Sequence, residues 1–338
     1  MKSSFFWTVS CALALVVSSA FASGLQSVQG FGTNPGNLRM YKYVPAEVPE
    51  NAPLVVVLHG CTQTAESYAK DTGFNDLAER EGFLVAYAEQ DSKNNDYECF
   101  NWFSSDDADR GRGEAASIAQ MVEKMKADHS IDATKVFITG VSAGGCMTAN
   151  MLAAYPDVFA GGAIMAGIPR QCATNAMEGM MCMFIPKDRS PKEWGNDVRD
   201  ASPTSEQTSY PIVSVFHGTA DDKVPVAYAG ELMEQWTNVH RTDATPDIDE
   251  DFRGHSHRVY NDADGKPIAE VYLLNGMGHG IAVDPGSGRD EGGQEGEYAF
   301  NEGVWSSYYA AKFWGILPDT SDTEPAVESS CMCPCPCE

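Results

Sequence analysis

Hydrophobic and polar positions alternate along this chain in two periods, and the change of period marks the elements. "LVVVLHG" (54–60) is a continuous apolar run suited to a buried central strand, and "TGFNDLAEREG" (72–82) then spaces its apolar residues as a helix does before a glycine stop. "FLVAYAEQ" (83–90) predicts the next strand, "GEAASIAQMVEKMKADHS" (113–130) an amphipathic helix, and "KVFITG" (135–140) a further strand. Later strands are predicted at "AGGAIMAG" (160–167), "PIVSVFHG" (211–218) and "AEVYLLNG" (269–276). Strands that are apolar throughout and separated by helices predict a mostly parallel sheet covered by helices on both faces. Residues 171–210 break the alternation, which predicts an insertion over an edge of the sheet.

The two ends depart from this pattern. The start, "MKSSFFWTVSCALALVVSSAFAS", has one lysine, an apolar run from Phe5 to Val17 and an Ala20-Phe21-Ala22 cleavage signature, so residues 1–22, including Cys11, are expected to be a secretory signal peptide. No later apolar stretch is long enough for a membrane span. Residues 318–338 are polar, Pro-rich and aperiodic, and read as a tail outside the core; their Cys331, Cys333, Cys335 and Cys337 lack the C-x-x-C spacing of structural zinc. Residues 23–317 remain, an acceptable size for one catalytic domain.

Charge narrows the partners. Acidic residues number 48 against 23 basic ones, a net charge of −25 without a Lys/Arg cluster, which argues against nucleic acid. Export into an oxidising compartment makes disulfides available to the cysteines, with Cys61–Cys99 and Cys172–Cys182 as candidate pairs among several connectivities.

The chemistry centres on "GVSAG" (140–144), which fits G-x-S-x-G between a predicted strand and a predicted helix. A sharp strand-to-helix turn exposes the Ser142 hydroxyl, and the flanking glycines avoid Cβ clashes. A serine needs a base and an orienting carboxylate to become a nucleophile. "HGTADDKVP" (217–225) offers Asp221 and Asp222 just beyond one strand, and "NGMGHG" (275–280) offers His279 beyond the next. Order and placement suit acyl transfer. The N–H of Ala143, following the serine, and that of Cys61, in the loop after the first core strand, are the expected oxyanion donors.

Other residues take plainer readings. His59 and His217 shape loops; His255 and His257 share one face of a strand; Cys146 is a small core residue. "NDADG" (261–265) resembles a calcium loop only superficially, because Tyr260 and Val271 would occupy its first and last ligand positions. No metal and no cofactor is expected.

Seven blocks, "LHGCTQTAESYA", "FLVAYAEQ", "CFNWF", "RGRGEAASIAQMV", "GVSAGGCMTANMLAAYPDVFAGGAIMAG", "FHGTADDKVP" and "NGMGHGIAVDPG", together resemble the catalytic domain of extracellular poly(3-hydroxybutyrate) depolymerases and their feruloyl and acetyl xylan esterase relatives. The resemblance runs from about residue 53 to about residue 317. It implies an α/β-hydrolase fold and a Ser142–Asp221–His279 triad, with Asp221 favoured over Asp222 by the G-x-x-D-x-x-V pattern ending at Val224. It also implies Cys61 and Ala143 as oxyanion donors, and places Asn101, Trp102 and Phe103 near the acyl pocket. The expectation is therefore a secreted or periplasmic, monomeric serine esterase acting on polyester or its oligomers. Feruloyl or acetyl xylan esterase activity is the alternative, and a non-catalytic binding protein on the same scaffold is the reading from another class.

Overall fold

The computed structural model describes residues 24–203 and 209–317. The leader read at 1–22 and the Cys-rich tail at 318–338 lie outside the described residues.

Twelve strands occur in the described chain: β1 (Gln26–Val28), β2 (Arg39–Tyr43), β3 (Ala52–Leu58), β4 (Leu84–Glu89), β5 (Ile131–Val141), β6 (Gly161–Met165), β7 (Ile212–Gly218), β8 (Ile248–Phe252), β9 (His255–Asn261), β10 (Pro267–Leu274), β11 (Ile281–Val283) and β12 (Ala299–Asn301). The helices are α1 (Ala65–Thr72), α2 (Phe74–Glu81), α3 (Ser105–Ala108), α4 (Gly113–Asp128), α5 (Ala143–Ala154), α6 (Ala176–Phe184), α7 (Pro191–Ala201), α8 (Ala227–His240) and α9 (Ser306–Phe313). Ten strands form one sheet in the order β1-β2-β4-β3-β5-β6-β7-β10-β9-β8. Its middle, from β4 to β10, is parallel. Antiparallel strands finish both edges. This is an α/β-hydrolase architecture.

Strand β3 shows why a continuous apolar run belongs at the centre. Leu54, Val56 and Leu58 enter the core on one side of the sheet, with Ile118, Met121, Leu152 and Trp236. Val55 and Val57 enter the core on the other side, with Phe74, Leu77 and Trp305. Successive side chains point to opposite faces, and both faces are dry, so every position is apolar. Each such side chain contributes about 1.5–3 kcal/mol on burial.

Two features differ from the sequence reading. The first helical segment after β3 is a pair: Gly73, at φ 68°, ends α1 and starts α2, a left-handed corner at low steric cost for glycine. The described residues of 171–210 do not cover a sheet edge. They leave and rejoin the sheet between the adjacent central strands β6 and β7, and their residues Cys172, Cys182 and Trp194 pack with Cys146 of α5. The segment consequently sits beside the turn that carries Ser142. His255 and His257 are buried on one face of β9, as their alternation predicts, and of 261–265 Asn261 ends β9 while 262–265 lie in the turn joining β9 to β10.

Candidate active site

Ser142 stands between the end of β5 and the start of α5 with φ 56° and ψ −120°, a conformation unusual for a residue with a side chain. Its N–H is held by the Met165 carbonyl of the neighbouring strand at 3.0 Å, and its carbonyl accepts from Cys146 N–H at 2.8 Å. The flanking glycines are steric necessities. A Cβ on Gly140 would lie 2.5 Å from the Gly144 carbonyl oxygen, and one on Gly144 would strike the carbonyls of Leu58 and, at 2.5 Å, His59. The helix can start only if it passes this close to the end of β3.

The loop after β3 reaches the same place. His59, fully buried, accepts the Gln90 N–H on Nε2 at 3.0 Å, so its proton resides on Nδ1, which donates to the Gly60 carbonyl at 2.6 Å. Burial holds the imidazole neutral, with its pKa lowered to about 4. That contact fixes the peptide joining Gly60 to Cys61. The Gly60 N–H donates to Gln63 Oε1 and the Thr62 N–H to the Tyr97 carbonyl. Among the described residues, the N–H groups of Cys61 and Ala143 have no protein acceptor. Cys61 is tied to Cys99 by a disulfide, and Cys172 to Cys182 by a second. Cys146 is the free cysteine among the described residues, buried and with its thiol pushed up to about 12, which keeps it unreactive.

Asp221 and His279 come from the loops after β7 and β10, adjacent parallel strands. The loops are stitched together: Thr219 N–H donates to the Leu274 carbonyl and Ala220 N–H to that of Met277. A Cβ on Gly218 would meet the Gly278 carbonyl at 2.6 Å. His279 Nδ1 lies 2.8 Å from Asp221 Oδ2. Asp221 Oδ1 accepts the N–H groups of Lys223 and Val224. Its Oδ2 also faces His217 Nε2 at 3.3 Å. Burial works against ionisation of Asp221, but the hydrogen bonds from His217, His279 and Val224 outweigh it and hold the carboxyl well below the ordinary range. Asp222 is exposed and turns to Lys223 instead.

Ser142 and His279 line one cavity of about 160 Å³ with Gly60, Cys61, Met183 and Tyr298. His279 Nε2 and the Ser142 hydroxyl make no hydrogen bond with each other among the described residues; such pairs are often long until substrate arrives. His217 was legible only as a loop residue, although it touches the acid. Met183 and Tyr298 carry no motif that would have signalled them.

Asn101, Trp102 and Phe103 are not part of that cavity wall. Asn101 gives both its N–H and its side-chain amide to the buried Glu114 at 2.8 Å. Gln90 also donates to Glu114, which ties it to the residue that fixes His59. Burial, helped by the Asp107 charge, pushes Glu114 up to about 8. Trp102 and Phe103 meet edge to face and pack against the cluster of Cys146, Cys172 and Trp194.

The chain matches the Esterase PHB depolymerase family over residues 38–247. It is 47% identical to poly(3-hydroxyalkanoate) depolymerase C of Paucimonas lemoignei over 90% of this chain and 73% of that protein. It is 33% identical to an acetylxylan esterase of Coprinopsis cinerea (77% of this chain, 70% of that protein) and 30% identical to feruloyl esterase B of Talaromyces funiculosus (80% and 77%). The acetyl xylan esterase structure from Aspergillus awamori superposes with a TM-score of 0.70 at 28% identity, covering 76% of this chain and 94% of that one.

Proposed function

The chain belongs to the PHB depolymerase esterase family and is a carboxylic ester hydrolase; on that premise we propose that it is an exported serine esterase that cleaves poly(3-hydroxybutyrate) or its oligomers. One observation carries the mechanism: Ser142, in its strained turn, shares a cavity with a histidine whose far nitrogen is bound to a buried carboxylate.

In this reading His279 takes the Ser142 proton through Nε2 as the hydroxyl attacks the ester carbonyl. The tetrahedral oxyanion is held by the unengaged N–H groups of Cys61 and Ala143. Asp221 keeps the Nδ1 proton in place and stabilises the imidazolium. Collapse expels the alcohol, which receives the proton from His279. Water, deprotonated by the same histidine, then frees Ser142 from the acyl-enzyme. Two disulfides suit an oxidising compartment, which supports export.

The 47% identity to a polyhydroxyalkanoate depolymerase, against 30–33% to the carbohydrate esterases, favours polyester. The fold shared with an acetyl xylan esterase supports the second reading, removal of acetyl or feruloyl groups from plant polysaccharide. Parallel assays on poly(3-hydroxybutyrate), its soluble oligomers, methyl ferulate and acetylated xylan separate them, with Ser142→Ala as control. Hydroxybutyrate release that depends on Ser142 supports the first; ferulate or acetate release in its place supports the second. Undiminished turnover in Ser142→Ala overturns the mechanism.

A further inference from the structure

Helix α6 is amphipathic in an inverted sense. Its buried positions are Gly179 and Cys182, the latter pinned by the disulfide to Cys172. Met177, Met180, Met181 and Phe184, spaced i, i+3, i+4 and i+7, form a single stripe directed to solvent, each more than half exposed and Met177 and Phe184 75% exposed. Ile185 extends the stripe, so most of the large exposed apolar side chains of the described residues belong to one short segment. A contiguous patch of this kind marks an interaction surface. The helix is firmly held, with Asn175 capping its N-terminus.

The stripe adjoins the cavity. Met183, between its members, lines the wall that Ser142 and His279 share. Thr62, of the loop bearing Cys61, lines the same cavity, and its N–H is accepted by the main-chain carbonyl of Tyr97, whose side chain is exposed. The segment 176–185 carries a single charge, Glu178, in a chain of net charge −25. A second copy of the chain or an anionic lipid surface would approach against that charge, whereas a neutral aliphatic solid would not. Methionines suit such an irregular partner because their unbranched, polarisable side chains adapt to it.

We propose that the exposed face of α6 is a docking surface for insoluble aliphatic polyester, holding the polymer against the mouth of the cavity; this rests on the polyester reading above. The surface serves adsorption and not the ester-cleaving step.

The test is a Met180→Gln/Met181→Gln/Phe184→Gln variant, in which glutamine keeps helix propensity and adds no charge. Adsorption to poly(3-hydroxybutyrate) particles is measured with Ser142→Ala as the shared background, so that cleavage does not interfere. Hydrolysis of a soluble p-nitrophenyl ester is measured with Ser142 intact. The expected result is adsorption weakened by at least about tenfold, with kcat/KM on the soluble ester within about twofold of the parent. Unchanged adsorption by the variant, while the parent hydrolyses polyester, overturns the docking surface and leaves the polyester reading standing. A parent that neither adsorbs nor hydrolyses polyester overturns both. A parent that sediments as a dimer and a variant that sediments as a monomer reassigns the stripe to an interface between copies.

Discussion

His217 directs Nε2 at Oδ2 of Asp221 from 3.3 Å, so two histidines share the oxygen on which the proposed catalytic base depends. The same Nε2 lies 2.9 Å from the Val224 carbonyl, and the side chain is completely buried. His217 therefore positions the carboxylate and the loop that presents it.

His217→Phe keeps a ring but removes the N–H. A hydrogen bond to a charged group is worth about 1.5–3 kcal/mol, so kcat/KM should fall about tenfold, with a stability loss of about 1–3 kcal/mol. Asp221→Asn, which leaves the geometry but removes the charge, should cost far more, about 10⁴-fold in kcat. Steady-state kinetics beside urea unfolding measures both effects. A His217→Phe enzyme with parental kcat/KM would deny this residue a positioning role.

The turn at Ser142 should be intolerant of a single methyl group. In Gly144→Ala the new Cβ meets the Leu58 and His59 carbonyls, which are backbone of a central strand and its adjoining loop and do not yield. The expected cost is about 3 kcal/mol, with loss of labelling by a fluorophosphonate, which reports an activated serine. Normal labelling in a stable Gly144→Ala protein would contradict this steric account.

The disulfides should separate stability from activity. Chain-entropy arithmetic gives about 4 kcal/mol for Cys61–Cys99, whose sequence separation is 38, and about 3 kcal/mol for Cys172–Cys182, with a separation of 10. Only the first anchors a proposed oxyanion donor. Cys61→Ala/Cys99→Ala should thus lower kcat on a soluble ester, while Cys172→Ala/Cys182→Ala should lower mainly the unfolding midpoint. Equal kcat losses in the two double variants would show that loop anchoring at Cys61 has no special part.

Stability should fall as the medium becomes alkaline. His257 lies between Glu250 (3.0 Å) and Glu270 (2.9 Å), stacked on Tyr272, and Ser214 donates to Glu270. Burial opposes the imidazolium, but the two carboxylates outweigh it and raise the His257 pKa; burial likewise raises Glu270. Both groups hold their protons more tightly when folded. The His257 contribution is fully present below about pH 6.5, the unfolded value, and is lost as pH climbs through the higher folded value; the Glu270 contribution begins to fall from lower pH. Urea midpoints at about pH 6 and about pH 9 should differ, and the difference should shrink in His257→Gln. An identical difference in that variant would place the pH dependence elsewhere.

The strand and helix periods and the Ser142 turn with its glycines were legible in the sequence because each depends on residues within a few positions of one another, and the order of the candidate serine, acid and histidine was legible because each follows a locally readable strand. The alternation of β3 side chains between two dry faces, and the clash of a Cβ on Gly140 with the Gly144 carbonyl, follow from local geometry once strand and helix are assigned; the clash at Gly144, against Leu58 and His59, exists only because the helix passes the end of β3. The rest depended on distant residues meeting. The bond between His279 and Asp221 joins residues 58 apart, and the support of His59 by Gln90 joins residues 31 apart. Local pattern left Asp221 and Asp222 as alternatives; the tertiary structure turns one into the sheet's crevice and the other to solvent. In the sequence the apolar run of α6 lay within a segment, 171–210, that showed only as a break in the alternation. Which of its faces is buried was decided by the Cys172–Cys182 disulfide and by the packing around Cys146, since a hydrophobic period reports that a face is apolar and not what, if anything, covers it.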